Sequence, residues 1–90
     1  MTMRSVEIQI LGQSYTIKTE EDEAYIKTLA RFVDEKLKEI FSAAPNVNHA
    51  KAAIMVALGI ADELFKLKME QENLDKLIEE KTKILSSLLE

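Results

Sequence analysis

Ninety residues with a formal net charge of −4 make one domain at most, too small for an independent catalytic core once any long element is set aside. No block of lysine and arginine interrupts the acidic balance, so the electrostatic footprint of a nucleic-acid binder is missing, and the lack of cysteine removes disulfide and thiol chemistry. From Met1 the chain passes straight into polar–apolar alternation, with no apolar run long enough for a signal peptide or a membrane span, so a cytoplasmic protein that does not engage membrane is expected.

Residues 5–19 alternate with period two: Val6, Ile8 and Ile10 share one face, and Tyr15, Ile17 and Thr19 share it again after a break at Gly12-Gln13. This pattern predicts a β-hairpin. With Gly12 at the first central position of a two-residue type II′ turn, Ile10 falls opposite Tyr15, Ile8 opposite Ile17 and Val6 opposite Thr19. The same register sets Glu7 against Lys18 and Gln9 against Thr16 on the other face. A lone two-stranded hairpin is marginal in water, so the apolar face needs a helix or further strands to cover it.

Thr19 followed by Glu20, Glu21 and Asp22 resembles a capping box, and the acidic run through Glu23 suits the positive end of a helix. The predicted helix carries an apolar stripe of Ile26, Leu29, Ala30, Val33, Leu37, Ile40 and Phe41, flanked by Tyr25 and Phe32, on which the hairpin can dock. Residues 42–47, with the only proline, Pro45, end it, and Asn48 or Asn46 supplies the N-cap of the next helix.

From Ala50 onward the positions Ala50, Ala53, Ala57, Ile60, Leu64, Leu67, Gln71, Leu74, Ile78, Lys81, Leu85 and Leu88 alternate steps of three and four, the seam of a heptad repeat. A helix over this stretch would be roughly 60 Å long, about twice what a small domain can cover, so another copy or a partner must bury the seam. Residues 50–67 are apolar on nearly every side, and the alanines with Gly59 permit close approach, which places both the packing of the first helix and the start of a dimer seam here. Toward the end, Leu77, Ile84 and Leu89 widen the stripe beyond what two helices bury, as expected of four. The expected architecture is therefore α+β and predominantly helical: a head over residues 1–67, containing hairpin, first helix and the start of the second, and a coiled-coil extension over residues 68–90. The seam assigns Ala57, Ile60, Leu64, Leu67 and Leu74 to a dimer interface, and the widened stripe assigns Leu77, Ile78, Ile84, Leu85 and Leu88 to a tetramer interface. Gln71 and Lys81 either fix register and oligomer state or, for Lys81, lie at the edge of a bundle with the ammonium in water.

Candidate chemistry is sparse. His49 has no second imidazole or thiol to complete a metal site. The acidic cluster 20–23 is explained by its place at a helix start, and the acid-first pairs Glu23-Lys27, Asp34-Lys38, Asp62-Lys66, Glu72-Lys76 and Glu79-Lys83 describe a solvated helix face. No phosphate loop, nucleophile elbow or zinc motif occurs, so neither enzyme activity nor a cofactor is expected.

Three segments together resemble the ZapA family of bacterial cell-division proteins: Val6-x-Ile8-x-Ile10-x-Gly12-x-x-Tyr15-x-Ile17, Ala30-x-x-Val33-Asp34-x-Lys36, and Ala57-Leu58-x-Ile60-Ala61-Asp62-Glu63-Leu64. The resemblance implies a non-catalytic cytoplasmic protein of the mid-cell division ring. It also implies parallel dimers, joined through the long helix, that pair antiparallel into tetramers with heads at both ends and bridge filaments of the tubulin-like protein FtsZ. Lys27, Arg31, Lys36, Lys38 and Lys51 are the candidate head contacts to an acidic filament. The alternative is a general coiled-coil adaptor or a prefoldin-like chaperone with another protein partner, although prefoldin-like chains set their hairpins between two long helices.

Overall fold

The computed structural model describes residues 2–89. Strands β1 (Arg4–Ile10) and β2 (Gln13–Thr19) form an antiparallel hairpin, followed by helices α1 (Glu23–Ala43) and α2 (His49–Leu89). The fold is α+β and mostly helical, in the expected element order. The chain divides into two compact units, Met1–Ala57 with the hairpin, α1 and the first turns of α2, and Leu58–Glu90 with the remainder of α2.

The hairpin register differs from the one that alternation and a type II′ turn suggest. Ile10 pairs with Gln13, Ile8 with Tyr15, Val6 with Ile17 and Arg4 with Thr19, while Glu7 faces Thr16 and Gln9 faces Ser14. The loop is Leu11-Gly12, with φ of 53° and 76°, so both central residues are left-handed as a type I′ turn requires. Both registers keep the even residues of β1 and the odd residues of β2 on one face, which is why alternation alone does not separate them.

What selects the observed register lies outside the hairpin. The Leu11 N–H donates to Asp34 Oδ1 at 2.8 Å, and the Leu11 side chain packs against the cluster of Leu37, Ala52 and Val56. A left-handed leucine costs about 1–2 kcal/mol, an amount that one charge-assisted hydrogen bond and partial burial can offset.

Among the described residues, the core of the first unit has two clusters. Val6, Ile8 and Ala30 form one, with Ile10 and Ile26 against it. Leu37, Ala52 and Val56 form the other, joined by Leu11, Val33, Ile40, Phe41 and Val47, and Ile10 touches both. Helix α1 packs on β1 and not on β2, so Tyr15 and Ile17 stay 48% and 37% exposed on the very face that Val6 and Ile8 bury. Leu29, expected in the buried stripe, is also exposed. It sits on the flank of that stripe with Tyr25 and Phe32, where a hairpin covering α1 through one strand does not reach.

The helix ends differ in how they are capped. Thr19 Oγ1 accepts from the Glu21 N–H at 3.0 Å, a local turn, and Asp22 becomes the N-cap of α1 without a side-chain cap bond. The expected capping box is absent, because the short turn already uses the Thr19 hydroxyl, and only Glu23 of the acidic run lies in the first helical turn. For α2, Asn48 Oδ1 accepts from the Lys51 N–H at 2.8 Å, which decides between the two asparagines.

Candidate interaction surfaces

Of the residues proposed to meet an acidic filament, Lys27, Arg31 and Lys38 recur at helical spacing along one strip of α1, with Asp34 among them. The Lys27 ammonium pairs with Glu23 at 3.2 Å and Lys38 with Asp34 at 2.9 Å, so their charge is partly spent within the helix. Arg31 makes no ion pair among the described residues and lines a shallow depression with Lys27, Asp34, Glu7 and Gln9. Lys36 lies on the opposite side of α1, its ammonium 5.4 Å from the centre of the Phe32 ring and 4.0 Å from Glu39. Lys51 stands at the start of α2, exposed, its backbone held by Asn48. The five cations thus occupy three places on the first unit rather than one patch.

Asp34 does two things within that strip. Its carboxylate accepts from the Leu11 N–H and from Lys38, and these partners, the backbone bond first, hold its carboxyl below the usual range. Asp62 raises the Lys66 ammonium correspondingly through their 2.9 Å contact. The pairs Glu72-Lys76 and Glu79-Lys83 do not close within bridging distance among the described residues.

Along α2 the assigned seam is uncovered. Ala57, Ile60, Leu64, Leu67 and Leu74 are all exposed, as are Leu77, Ile78, Ile84, Leu85 and Leu88. No described residue beyond Ala57 is buried. The glycine at 59 has no atom within 4 Å of where a Cβ would stand. No described helix is long and apolar enough to cross a membrane.

Sequence comparison shows what kind of chain carries these surfaces: the family model for "Cell division protein ZapA" matches residues 6–90. The chain belongs to the ZapA family. A ZapA of Geobacillus thermodenitrificans is 42% identical over 69 residues, covering 77% of this chain and 76% of that protein. One from Shouchella clausii is 35% identical over 65 residues, covering 72% and 83%. Among solved structures, a conserved protein of unknown function from Pseudomonas aeruginosa PAO1 superposes with a TM-score of 0.76 at 27% identity over 94% of both chains. A mutant ZapA dimer from Geobacillus stearothermophilus gives 0.67 at 35% identity, over 88% of this chain and 92% of that one. ZapA is a cell-division family and not a known enzyme family.

Two apolar sets that the sequence pattern names stay exposed in this ZapA-family chain. Tyr25, Leu29 and Phe32 form a second stripe on α1, ending at Lys36, and their spacing of four, three and four residues is the signal that marks it as a stripe of its own. Tyr15 and Ile17 form the other, and no periodicity distinguishes a strand covered by a helix from its neighbour left open.

Proposed function

We propose that this ZapA-family protein binds FtsZ and cross-links or aligns its filaments at the mid-cell division site, in the cytoplasm and without catalysis, through a homo-oligomer built on α2. The observation that carries the reading is the helix itself: 41 residues long, with a heptad seam whose leucines and isoleucines all face solvent in the single chain. An apolar surface of that extent marks an interface. Ala57, Ile60, Leu64, Leu67 and Leu74 join two chains, and Leu77, Ile78, Ile84, Leu85 and Leu88 join two dimers into a tetramer. Residues 1–67 then serve as the head and residues 68–90 as the coiled-coil extension. Parallel order within the dimer sets Glu63 against Lys68 favourably and Glu70 against Asp75 unfavourably, so charge contributes little to orientation.

A particle with several heads turns weak single contacts into strong cross-linking, since linked sites can gain about 10² to 10⁴ in avidity without any new contact. Arg31, free of an ion pair among the described residues, is the best placed of the five head cations, ahead of Lys27, Lys36, Lys38 and Lys51. The test is sedimentation of polymerised FtsZ with and without the protein, alongside electron microscopy. Co-pelleting with bundles supports the reading. Bundling that is absent, together with suppression of aggregation in an unrelated client protein, would favour a chaperone.

A further inference from the structure

A groove in the first unit lies between the end of the hairpin and the first turns of α2, lined by Ile10, Leu11, Tyr15, Leu37, His49 and Ala53. It opens beside the uncovered half of the sheet, where Tyr15 and Ile17 are 48% and 37% exposed. A two-stranded sheet covered on one strand is an incomplete core. On α2, Ile54 is 61% exposed and lies off the α1 side, which the helix presents through Ala52 and Val56.

Heptad geometry relates these two unsatisfied places. With Ala50, Ala53 and Ala57 in the seam, His49 and Val56 occupy the g positions and Ile54 the e position. The groove and the α1 contact both lie on the g side, which is where a parallel partner brings its e residues, the g position of one chain meeting the e position five residues on in the other. In parallel order His49 would therefore be matched with Ile54 of a second copy. A two-fold axis makes that contact twice, so one arrangement covers both open places in both chains. An antiparallel pair overlapping along the whole of α2 would instead set Ile54 against the far end of the helix and leave the groove empty. The alanines lining the seam at this level leave room for the close approach that the contact requires.

We propose that the head is completed across the dimer, with Ile54 of one chain entering the groove of the other and packing beneath its Tyr15 and Ile17. This rests on self-association through α2 and adds that the hairpin takes part in it. The hairpin is then part of the interface and its apolar face is closed to outside partners.

The chain has no cysteine, so site-specific cross-linking is clean. Full-length Tyr15→Cys and Ile54→Cys chains, carrying different affinity tags, are co-refolded and oxidised, with Thr16→Cys, on the opposite sheet face, replacing Tyr15→Cys as control. An Ile17→Cys chain repeats the test in case Tyr15→Cys disturbs the hairpin, and circular dichroism confirms folding. The expected result is a mixed disulfide for 15–54 or 17–54, at least five-fold more abundant than for 16–54. Light scattering on the same samples separates the two ways of failing. A dimer without the cross-link overturns completion of the head while leaving self-association intact, and a monomer removes both. A dimer in which residue 15 stays reactive to a maleimide until another protein is added would assign the groove to that protein and overturn the proposal.

Discussion

The backbone N–H of Leu11 donates to Asp34 Oδ1 at 2.8 Å, joining residues 23 positions apart in the sequence. That bond ties the tip of the hairpin to the middle of α1 and holds a leucine at φ 53°, where leucine does not rest by itself. Because Asp34 also receives Lys38 at 2.9 Å, one carboxylate links the turn to the basic strip of α1.

Acid should weaken this link in a defined direction. The Asp34 carboxyl is held below its ordinary value by the Leu11 N–H and then by Lys38, so the folded state favours the carboxylate more than the unfolded chain does. Its contribution is present above the ordinary carboxyl range, about pH 4, and is lost as pH falls through the lower folded value. Urea midpoints at pH 7 and near pH 3 should therefore show Asp34→Asn less stable at pH 7, with the gap to the parent narrowing in acid. An undiminished gap at low pH would show that ionisation of Asp34 is not what holds the turn.

Gly12 tests the turn from the other side. At φ 76° it occupies the left-handed region, yet an added Cβ would meet nothing within 4 Å, so the cost of Gly12→Ala is backbone strain without a clash. A loss of about 1 kcal/mol is expected, with Gly12→Asn recovering most of it because asparagine tolerates this conformation. A steric account predicts instead that the larger asparagine is worse. Thermal melts of the two variants decide it.

The register was not legible in the sequence for a physical reason that Gly12 makes plain. Glycine suits the first central position of a II′ turn and the second of a I′ turn, and the two registers keep every side chain on the same face. The choice falls to Asp34, a tertiary contact that local pattern does not contain. By contrast, the elements themselves and the contact of α1 with early α2 follow from turn chemistry and 3.6-residue periodicity, while turn chemistry narrows the α2 cap to Asn46 or Asn48 and the Lys51 N–H bond chooses Asn48. Leu29 misled because a helical stripe shows which residues can face a neighbour, while the neighbour's width decides which do, and β1 alone is narrow.

Leu37 should be the most sensitive core position of the first unit. It is buried with Ala52, which has no exposed surface, and Val56, so Leu37→Ala leaves a cavity where α1 meets α2. Removal should cost about 2–5 kcal/mol, a large part of the stability of a unit this small. Leu29→Ala, on the exposed flank, should cost under about 1 kcal/mol in chemical denaturation. Equal costs would mean that an assembled partner covers Leu29.

The two assembly steps proposed for α2 separate at Ile60 and Ile84, both exposed in the single chain. Ile60 is a seam position within the stretch where Ala57 and Leu64 flank it, whereas Ile84 stands beside the seam residue Leu85 and needs a neighbour outside a two-stranded coil. A carboxylate buried unpaired in a helix interface costs several kcal/mol, enough to break whichever contact receives it. Ile84→Glu should thus leave a folded dimer, and Ile60→Glu should release monomers at micromolar concentration with much of the helical signal of α2 lost. If tetramers are what bridge filaments, the Ile84→Glu dimer should still co-sediment with FtsZ while bundling it poorly. Equilibrium sedimentation read beside filament pelleting separates the possibilities: a variant that stays tetrameric refutes the interface at Ile84, and a true dimer that bundles as well as the parent shows that the two heads of one dimer suffice to cross-link.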